Sequence, residues 1–159
     1  KWVEDFMNQY REMLSPGYKE ASYYFNLGAL HYERKNYREA LKTLQKVDID
    51  DVYFNLSNRA MLLKIYYEME EEDTLDSLIR TFGIYLKRNR YISDYHYTIH
   101  KNLLKYVKKL DRLRNKSFVL SKSDLVDEVN KLKSEINETR QIANINWLLG
   151  KVDEVLKNK

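Results

Sequence analysis

The sequence predicts an all-α protein, and three observations lead to this fold class. The 159 residues include only four glycines and one proline, the two residue types that helix interiors exclude. Apolar residues recur at steps of three and four, which is the spacing of one helix face. No segment alternates apolar and polar residues between turn residues, as a half-buried strand would. The length suits one domain with a sizeable core.

The first predicted helix covers residues 1–14. Trp2, Phe6, Tyr10 and Leu14 recur at every fourth position and form one apolar face. The Ser-Pro-Gly sequence that follows ends this helix, because proline cannot continue the hydrogen-bond ladder and glycine suits a helix exit.

Four further helices follow from the same periodicity. Asp50 or Asp51 should cap the third of them, since an aspartate at a helix start can accept a backbone N–H. The apolar stripe of the second includes Ala40 and Leu44. The predicted bounds are 18–34, 37–47, 52–70 and 73–88.

Three helices are predicted in the last part of the chain. Ser93 is placed to cap the first of these, and Asn144 to start the last. Each carries apolar residues at helical spacing. The predicted bounds are 93–114, 124–141 and 145–157.

The segment 115–122 interrupts this pattern and predicts a loop. Phe118 and Leu120 are expected to hold it against the protein. Either Ser123 or Asp124 should cap the helix that follows it, because both residue types are favoured at that position.

The most distinctive motif places small residues where two helices must touch. Gly28 lets one helix approach closely, and Ala40 receives it on the next. Together with Leu27, Tyr32 and Tyr37 at these spacings, the motif resembles the tetratricopeptide repeat (TPR). The order of elements, including the Trp-Leu-Leu sequence near the end, also resembles the C-terminal part of long, uncharacterised bacterial TPR proteins.

A degraded copy of the motif follows at an offset of 35 residues. Leu62 takes the place of Leu27, and Leu63 and Leu75 replace the glycine and the alanine. Two large side chains cannot pack as closely as glycine against alanine, so this second helix pair is expected to splay slightly.

The resemblance implies a right-handed α-solenoid of antiparallel helix hairpins, with a concave face that binds a peptide or a partner helix. It implies one TPR-like domain over residues 1–159. Its predicted parts are a helix from a preceding repeat (1–14), repeat 1 (18–50), repeat 2 (52–88), a degenerate repeat 3 (93–141) and a capping helix (144–157).

The resemblance also implies which side chains line the concave groove. One end would be largely aromatic and apolar, and the other cationic. Independently of any family, the lysines at the cationic end recur at three- and four-residue steps and share one helix face. The predicted groove residues are Phe25, Asn26, Tyr32, Met61, Lys64, Tyr67, Lys101, Asn102, Lys105, Lys108 and Lys109.

The charge is distributed unevenly. Residues 87–122 carry a net charge of +9 in a chain whose total is +4, so the remainder carries −5. We expect a non-catalytic interaction scaffold that binds a protein or peptide of acidic character. The alternatives are a solvated lysine face, a variant in which the acidic residues of 68–76 balance the loop that contains Arg88 and Arg90, a structural spacer of a larger protein with no free groove, and nucleic-acid binding through the basic region.

No pattern in the sequence points to catalysis. There is no nucleophile elbow, phosphate loop or cofactor fingerprint, so we expect neither an enzyme nor a bound cofactor. His96 and His100 lie one helical turn apart, but Tyr97 follows the first and the chain contains no cysteine. A structural role is therefore expected for these histidines, and no metal site.

The sequence also bears on the cellular setting. No apolar run approaches the length of about 20 residues that a membrane span needs. No signal-peptide pattern opens the chain, and cysteine is absent. We expect a cytoplasmic protein. Because the chain begins with Lys1, we expect it to be part of a longer or processed protein.

Overall fold

All regular secondary structure in the described part of the chain is α-helical. The structure, a computed structural model, describes residues 5, 8, 9, 13, 15–48 and 50–158. These residues contain seven helices and no strand, which confirms the predicted all-α class. The helix predicted for 1–14 falls outside the described residues except at isolated positions. The helices are α1 (Pro16–Glu33), α2 (Tyr37–Leu44), α3 (Val52–Glu68), α4 (Glu72–Arg88), α5 (Asp94–Ser117), α6 (Lys122–Thr139) and α7 (Ile145–Lys157).

The chain divides into two compact units, Lys1–Leu75 and Asp76–Lys159, and the division falls within the first turn of α4. In the first unit, α1 packs against both α2 and α3, and α2 packs against α3. In the second unit, α5, α6 and α7 pack against one another in pairs. A single domain over residues 1–159 stays a prediction.

Polar side chains fix where several helices begin. The Asp51 carboxylate accepts the Phe54 N–H at 2.7 Å at the start of α3, and Ser93 accepts the His96 N–H at 3.4 Å at the start of α5. These two predicted caps are confirmed. At the start of α6 the cap is Ser121, which corrects the prediction of Ser123 or Asp124.

Ser121 and Asp124 bond to each other through the Ser121 hydroxyl. The Ser121 hydroxyl accepts the Asp124 N–H at 3.1 Å and donates to the Asp124 carboxylate at 2.6 Å. The aspartate is therefore three residues inside the helix and serves as the partner of the cap. This places the first residue of α6 at Lys122, two residues before the predicted start.

The turn between α1 and α2 ends α1 in a left-handed residue. Lys35 has φ 58°, and its N–H donates to the Tyr32 carbonyl at 2.8 Å. The next N–H, that of Asn36, donates to the His31 carbonyl at 2.9 Å. This pair of hydrogen bonds is the Schellman motif, which satisfies carbonyls that a helix end leaves without partners.

The same exit geometry occurs after α3. Glu70 has φ 58°, its N–H donates to the Tyr67 carbonyl at 3.2 Å, and the Glu71 N–H donates to the Tyr66 carbonyl at 3.1 Å. Every atom pair is displaced by 35 residues from its counterpart in the first turn. The offset found in the sequence motif therefore has a counterpart in backbone geometry within the first unit.

Because the left-handed conformation is costly for residues with a Cβ atom, glycine should improve both turns. We expect Lys35→Gly and Glu70→Gly each to raise the free energy of unfolding by about 0.5–1 kcal/mol, measured by chemical denaturation. Ser57→Gly, at an exposed position within α3, provides the control and should lower it by about 0.5 kcal/mol. Equal losses in all three variants would contradict this interpretation.

Gly28 brings α1 and α2 together. A Cβ atom built at Gly28 would lie 2.6 Å from Leu44 Cγ and 3.5 Å from the Ala40 carbonyl oxygen. Ala40 and Leu44 are completely buried. The predicted close approach is present, with one correction: the tightest neighbour is the Leu44 side chain rather than Ala40. The small residue at position 40 lets α1 come near enough to meet Leu44 one turn further on.

In the second unit, α5 is the central helix. The neighbouring helices attach to it through polar contacts as well as through its buried face. The buried residues of α5 are His100, Leu103, Leu104, Tyr106, Val107, Leu110 and Leu113. The Tyr106 hydroxyl donates to the Glu135 carbonyl of α6 at 3.1 Å, and the Ala143 N–H before α7 donates to the Ile99 carbonyl at 3.1 Å. These contacts fix α6 and α7 beside α5.

Two predicted boundaries move for reasons visible in the backbone. α2 ends at Leu44 rather than at residue 47, because the Lys46 and Val47 N–H groups bond to carbonyls only three residues earlier. α6 ends at Thr139 rather than at residue 141, because Arg140 adopts a left-handed φ of 56°.

The segment predicted as a loop at 115–122 is shorter and differently held. α5 continues to Ser117, and Phe118 is 82% exposed, so the expected anchoring by this side chain is wrong. Backbone hydrogen bonds hold the turn instead: the N–H groups of Val119 and Leu120 both donate to the Lys116 carbonyl, at 3.0 and 3.1 Å.

Candidate functional site

In the first unit, the predicted aromatic groove residues are divided between interior and surface. Tyr32 and Tyr67 are only 8% and 4% exposed, so they belong to the packed interior, which corrects their assignment as an open lining. The Tyr32 hydroxyl donates to a Glu68 carboxylate oxygen at 3.0 Å, and the Lys64 ammonium lies 4.5 Å from the Tyr32 ring centre. Lys64 thus covers the ring from outside.

The other predicted residues of this unit lie nearer the surface. Asn26 is exposed, and Phe25 and Met61 are partly exposed. Phe25 packs edge-to-face against Phe54 of α3, with ring centres 5.3 Å apart. The packing at Phe25 therefore joins α1 to α3 and leaves part of the ring accessible.

In the second unit, the predicted lysine stripe on α5 is partly neutralised within the protein. Lys108 forms an ion pair with Asp76 at 3.1 Å, and Lys109 forms one with Glu135 of α6. Asn102 donates to the Gln141 carbonyl at 2.9 Å. Lys108 is therefore balanced by an acidic residue of the region 68–76, which the sequence analysis had paired with Arg88 and Arg90 instead.

Two further lysines of the stripe cover tyrosine rings. Lys101 lies 5.5 Å from the Tyr97 ring centre, and Lys105 lies 4.8 Å from that of Tyr106. Both lysines are exposed, so their ammonium groups also face solvent. Tyr106 is 1% exposed, which leaves no free ring face there for stacking a nucleic-acid base.

A cleft of about 190 Å³ lies between α5 and α6. Its floor is apolar, since Leu113 and Leu132 are 5% and 6% exposed. Four cationic and two acidic side chains surround that floor, for a net charge of +2. We call this feature the cationic cleft. Its lining residues are Lys109, Arg112, Leu113, Lys116, Glu128, Lys131, Leu132 and Glu135.

Some charged side chains of the cationic cleft form an ion pair with each other, and others form none among the described residues. The hydrogen bond from Lys109 holds the pKa of Glu135 below its ordinary value, with smaller contributions from the charges of Lys105 and Lys131. Glu135 is therefore ionised and committed to Lys109. Among the described residues, Arg112, Lys116 and Lys131 form no ion pair, so the cleft keeps uncompensated positive charge.

Of the predicted groove residues, only Lys109 lines the cationic cleft. Arg112 and Lys116 continue the three- and four-residue steps of the lysine stripe, so helical periodicity could have identified them from the sequence. Lys131 lies on α6, and no pattern in the sequence connects it to α5. The antiparallel packing of the two helices brings it to the cleft.

The two histidines of α5 stack on each other, with ring centres 6.0 Å apart and an angle of 22° between planes. His100 is 6% exposed, its Nδ1 lies 2.7 Å from the His96 carbonyl, and its ring lies 5.8 Å from that of Phe82. Within the described ranges, no three His, Asp or Glu side chains are grouped as a metal site would require.

Burial lowers the pKa of His100, the His96 carbonyl opposes this, and the His96 charge lowers it further. As the pH decreases, the unfolded chain therefore takes up this proton at a higher pH than the folded chain does. The free energy of unfolding should then decrease as the pH is lowered below about 6.5. We expect His100→Leu to weaken this dependence, measured as the difference in free energy of unfolding between neutral and mildly acidic buffer. An unchanged difference would show that His100 does not contribute.

Comparison with protein-family models, with curated proteins and with solved structures gives no match to this chain. In the part that the structure describes, no helix has the length and apolar character needed to cross a membrane. The class that the fold and site define is an all-helical protein with a positively charged interhelical cleft.

Proposed function

We propose that this protein is a non-catalytic scaffold that binds an acidic segment of another protein in the cationic cleft. The observation that carries the proposal is the combination of Arg112, Lys116 and Lys131, which form no ion pair among the described residues, with an apolar floor. A peptide with carboxylates and an apolar side chain would satisfy both features. Charge attraction would speed its association, and the leucines would retain it.

The wider architecture that we propose is a TPR-like right-handed solenoid. Support comes from the turns that recur after 35 residues. The helices that follow these turns also start alike: the Ala40 N–H donates to the Asn36 carbonyl at 3.0 Å, and the Leu75 N–H donates to the Glu71 carbonyl at 2.8 Å. Recurring hairpins of this kind are units that stack in repeat proteins, many of which present extended binding surfaces.

A protein segment fits the cationic cleft better than nucleic acid. Glu128 and Glu135 interrupt the cationic lining, so an evenly charged phosphate backbone would place charge beside a carboxylate. A peptide can carry neutral residues at those points. Tyr106, a tyrosine within the basic region 87–122, is also buried and cannot stack on a base.

Charge reversal in the cleft tests the proposal. We expect the full chain to bind a short labelled peptide of alternating glutamate and leucine, and to bind its glutamine counterpart less well, by fluorescence anisotropy. Arg112→Glu combined with Lys131→Glu should weaken binding about tenfold or more, because two attractions become repulsions. Binding should also weaken as added salt shortens the screening length below about 10 Å.

The matched control is Lys87→Glu combined with Arg90→Glu. Both residues are exposed and lie in the basic region 87–122 but outside the cleft, and the change in net charge is the same as in the test variant. Equal loss of binding in the two double variants would overturn the cleft assignment, and absence of binding in the unaltered chain would favour a structural spacer. Preference for single-stranded DNA in a filter-binding salt series would favour the nucleic-acid alternative.

A further inference from the structure

The turn between α5 and α6 exposes two adjacent apolar side chains. Phe118 is 82% exposed and Val119 is 84% exposed. Within the described residues, no other large apolar neighbours in sequence are both exposed. Lys116 and Lys122 flank them, and residues 116–122 contain no acidic residue. We call residues 116–122 the hairpin tip.

The backbone of the hairpin tip is ordered by hydrogen bonds on both sides. Val119 and Leu120 donate to the Lys116 carbonyl, and the Ser117 hydroxyl donates to the Arg114 carbonyl at 2.6 Å. On the other side, the Ser121 cap fixes the start of α6. Phe118 and Val119 are therefore exposed on a turn whose backbone is held by hydrogen bonds.

The hairpin tip is convex. α5 and α6 run antiparallel, because Tyr106 meets Thr139 and Lys109 meets Glu135, and the tip is the apex where the two helices join. A protein partner would need a matching pocket to cover such an apex. A lipid interface accepts it directly, with apolar side chains at the boundary of headgroups and acyl chains and the ammonium groups beside anionic headgroups.

We propose that the hairpin tip docks the protein reversibly on a membrane surface that contains anionic lipids. Phe118 and Val119 enter the interface, while Lys116 and Lys122 remain at headgroup level. Each lysine close to an anionic surface strengthens binding by about fivefold. Two apolar side chains and two cations give weak, reversible attachment rather than stable anchoring. Lys116 also lines the cationic cleft, whereas Phe118, Val119 and Lys122, which the test variants change, do not.

Vesicle cosedimentation of the full chain tests this inference. We expect binding to vesicles of phosphatidylcholine with phosphatidylserine, and little to phosphatidylcholine alone. Phe118→Ser combined with Val119→Ser should reduce binding about tenfold, and Lys122→Gln about fivefold. Tyr91→Ser is the control and should have no effect: Tyr91 is 84% exposed but lies before the start of α5, at the end of that helix opposite to the tip.

A probe in the tip gives a second readout that does not depend on affinity. The chain has no cysteine, so Val119→Cys and Tyr91→Cys can each be labelled at one site with an environment-sensitive dye. Fluorescence should rise at position 119 alone, and only with the anionic vesicles. A rise at neither position, at both positions, or equally with neutral vesicles would overturn the proposal. Variants of Phe118, Val119 or Lys122 that lose vesicle binding should still bind the glutamate–leucine peptide as the unaltered chain does.

Discussion

Replacing Gly28 with alanine is expected to lower the free energy of unfolding by about 1–3 kcal/mol, which is the usual cost of overpacking a core. In most helices the same change is favourable, because alanine restricts the unfolded chain. Here the added methyl group would lie 2.6 Å from Leu44 Cγ and 2.7 Å from Leu44 Cδ2, on a side chain that is completely buried. Chemical denaturation followed by circular dichroism measures the loss.

Gly150→Ala is the matched control for this prediction. Gly150 lies within α7, and an added Cβ there would meet nothing within 4 Å. We expect Gly150→Ala to raise the free energy of unfolding by about 0.5–1 kcal/mol. In the Gly28→Ala background, Leu44→Ala should cost less than in the unaltered chain, because it removes the atoms that the new methyl group meets. Stabilisation by Gly28→Ala would contradict the close packing of α1 on α2.

Replacing Phe82 with alanine is expected to cost about 3–5 kcal/mol of stability, the largest effect that we predict. Phe82 is completely buried in α4, and its ring contacts that of His100. The change would leave a cavity beside the histidine. Water entering this cavity would reduce the burial that lowers the pKa of His100, so the pH dependence of stability should weaken as well.

Ile84→Ala serves as the comparison for Phe82→Ala. Ile84 lies two residues further along α4 and is 47% exposed. Ile84→Ala should lower the free energy of unfolding by about 1 kcal/mol or less, because about half of the Ile84 side chain is already in water. Unfolding measured at neutral and mildly acidic pH separates the two effects of Phe82→Ala. A large loss of stability with unchanged pH dependence would show that the burial of His100 does not depend on this ring.

The cationic cleft differs from the binding groove that the sequence predicted, because only one of the predicted groove residues, Lys109, lines it. The prediction treated the α5 lysines as one stripe. The structure separates them by partner: Lys108 pairs with α4, Lys109 pairs with α6, and Lys101 and Lys105 cover tyrosine rings. Further along α5 and across the cleft on α6, Arg112, Lys116 and Lys131 form no ion pair among the described residues and surround an apolar floor. A binding assay should therefore begin with Arg112 and Lys131.

The fold was predictable wherever the signal is local. Cap residues such as Asp51 and Ser93 act within three residues of their own position, so their roles can be read from the sequence. The 35-residue offset was visible in the motif and recurs in the turns. The position of Ser121 was missed because several residues in a row can cap a helix, and the choice depends on which backbone turn the preceding segment adopts.

Surface exposure was harder to predict than helix position. Phe118 was expected to be buried on the basis of its apolar side chain, yet the turn that follows α5 is held by the Lys116 carbonyl and leaves the ring in solvent. Tyr67 was expected to line an open groove but is buried. Helical spacing identifies residues that share a face, whereas their exposure depends on which neighbour covers that face.

By itself, the sequence determined that the chain is helical, that Gly28 marks a close contact between two helices, and that α5 carries a face rich in cations. These properties arise from backbone propensities and from the helical repeat, which act over a few residues. Only the tertiary structure decided which cations are neutralised, that Lys131 joins Arg112 around one cleft, and that Phe118 and Val119 face solvent. Those outcomes depend on side chains distant in sequence, and packing alone brings them together.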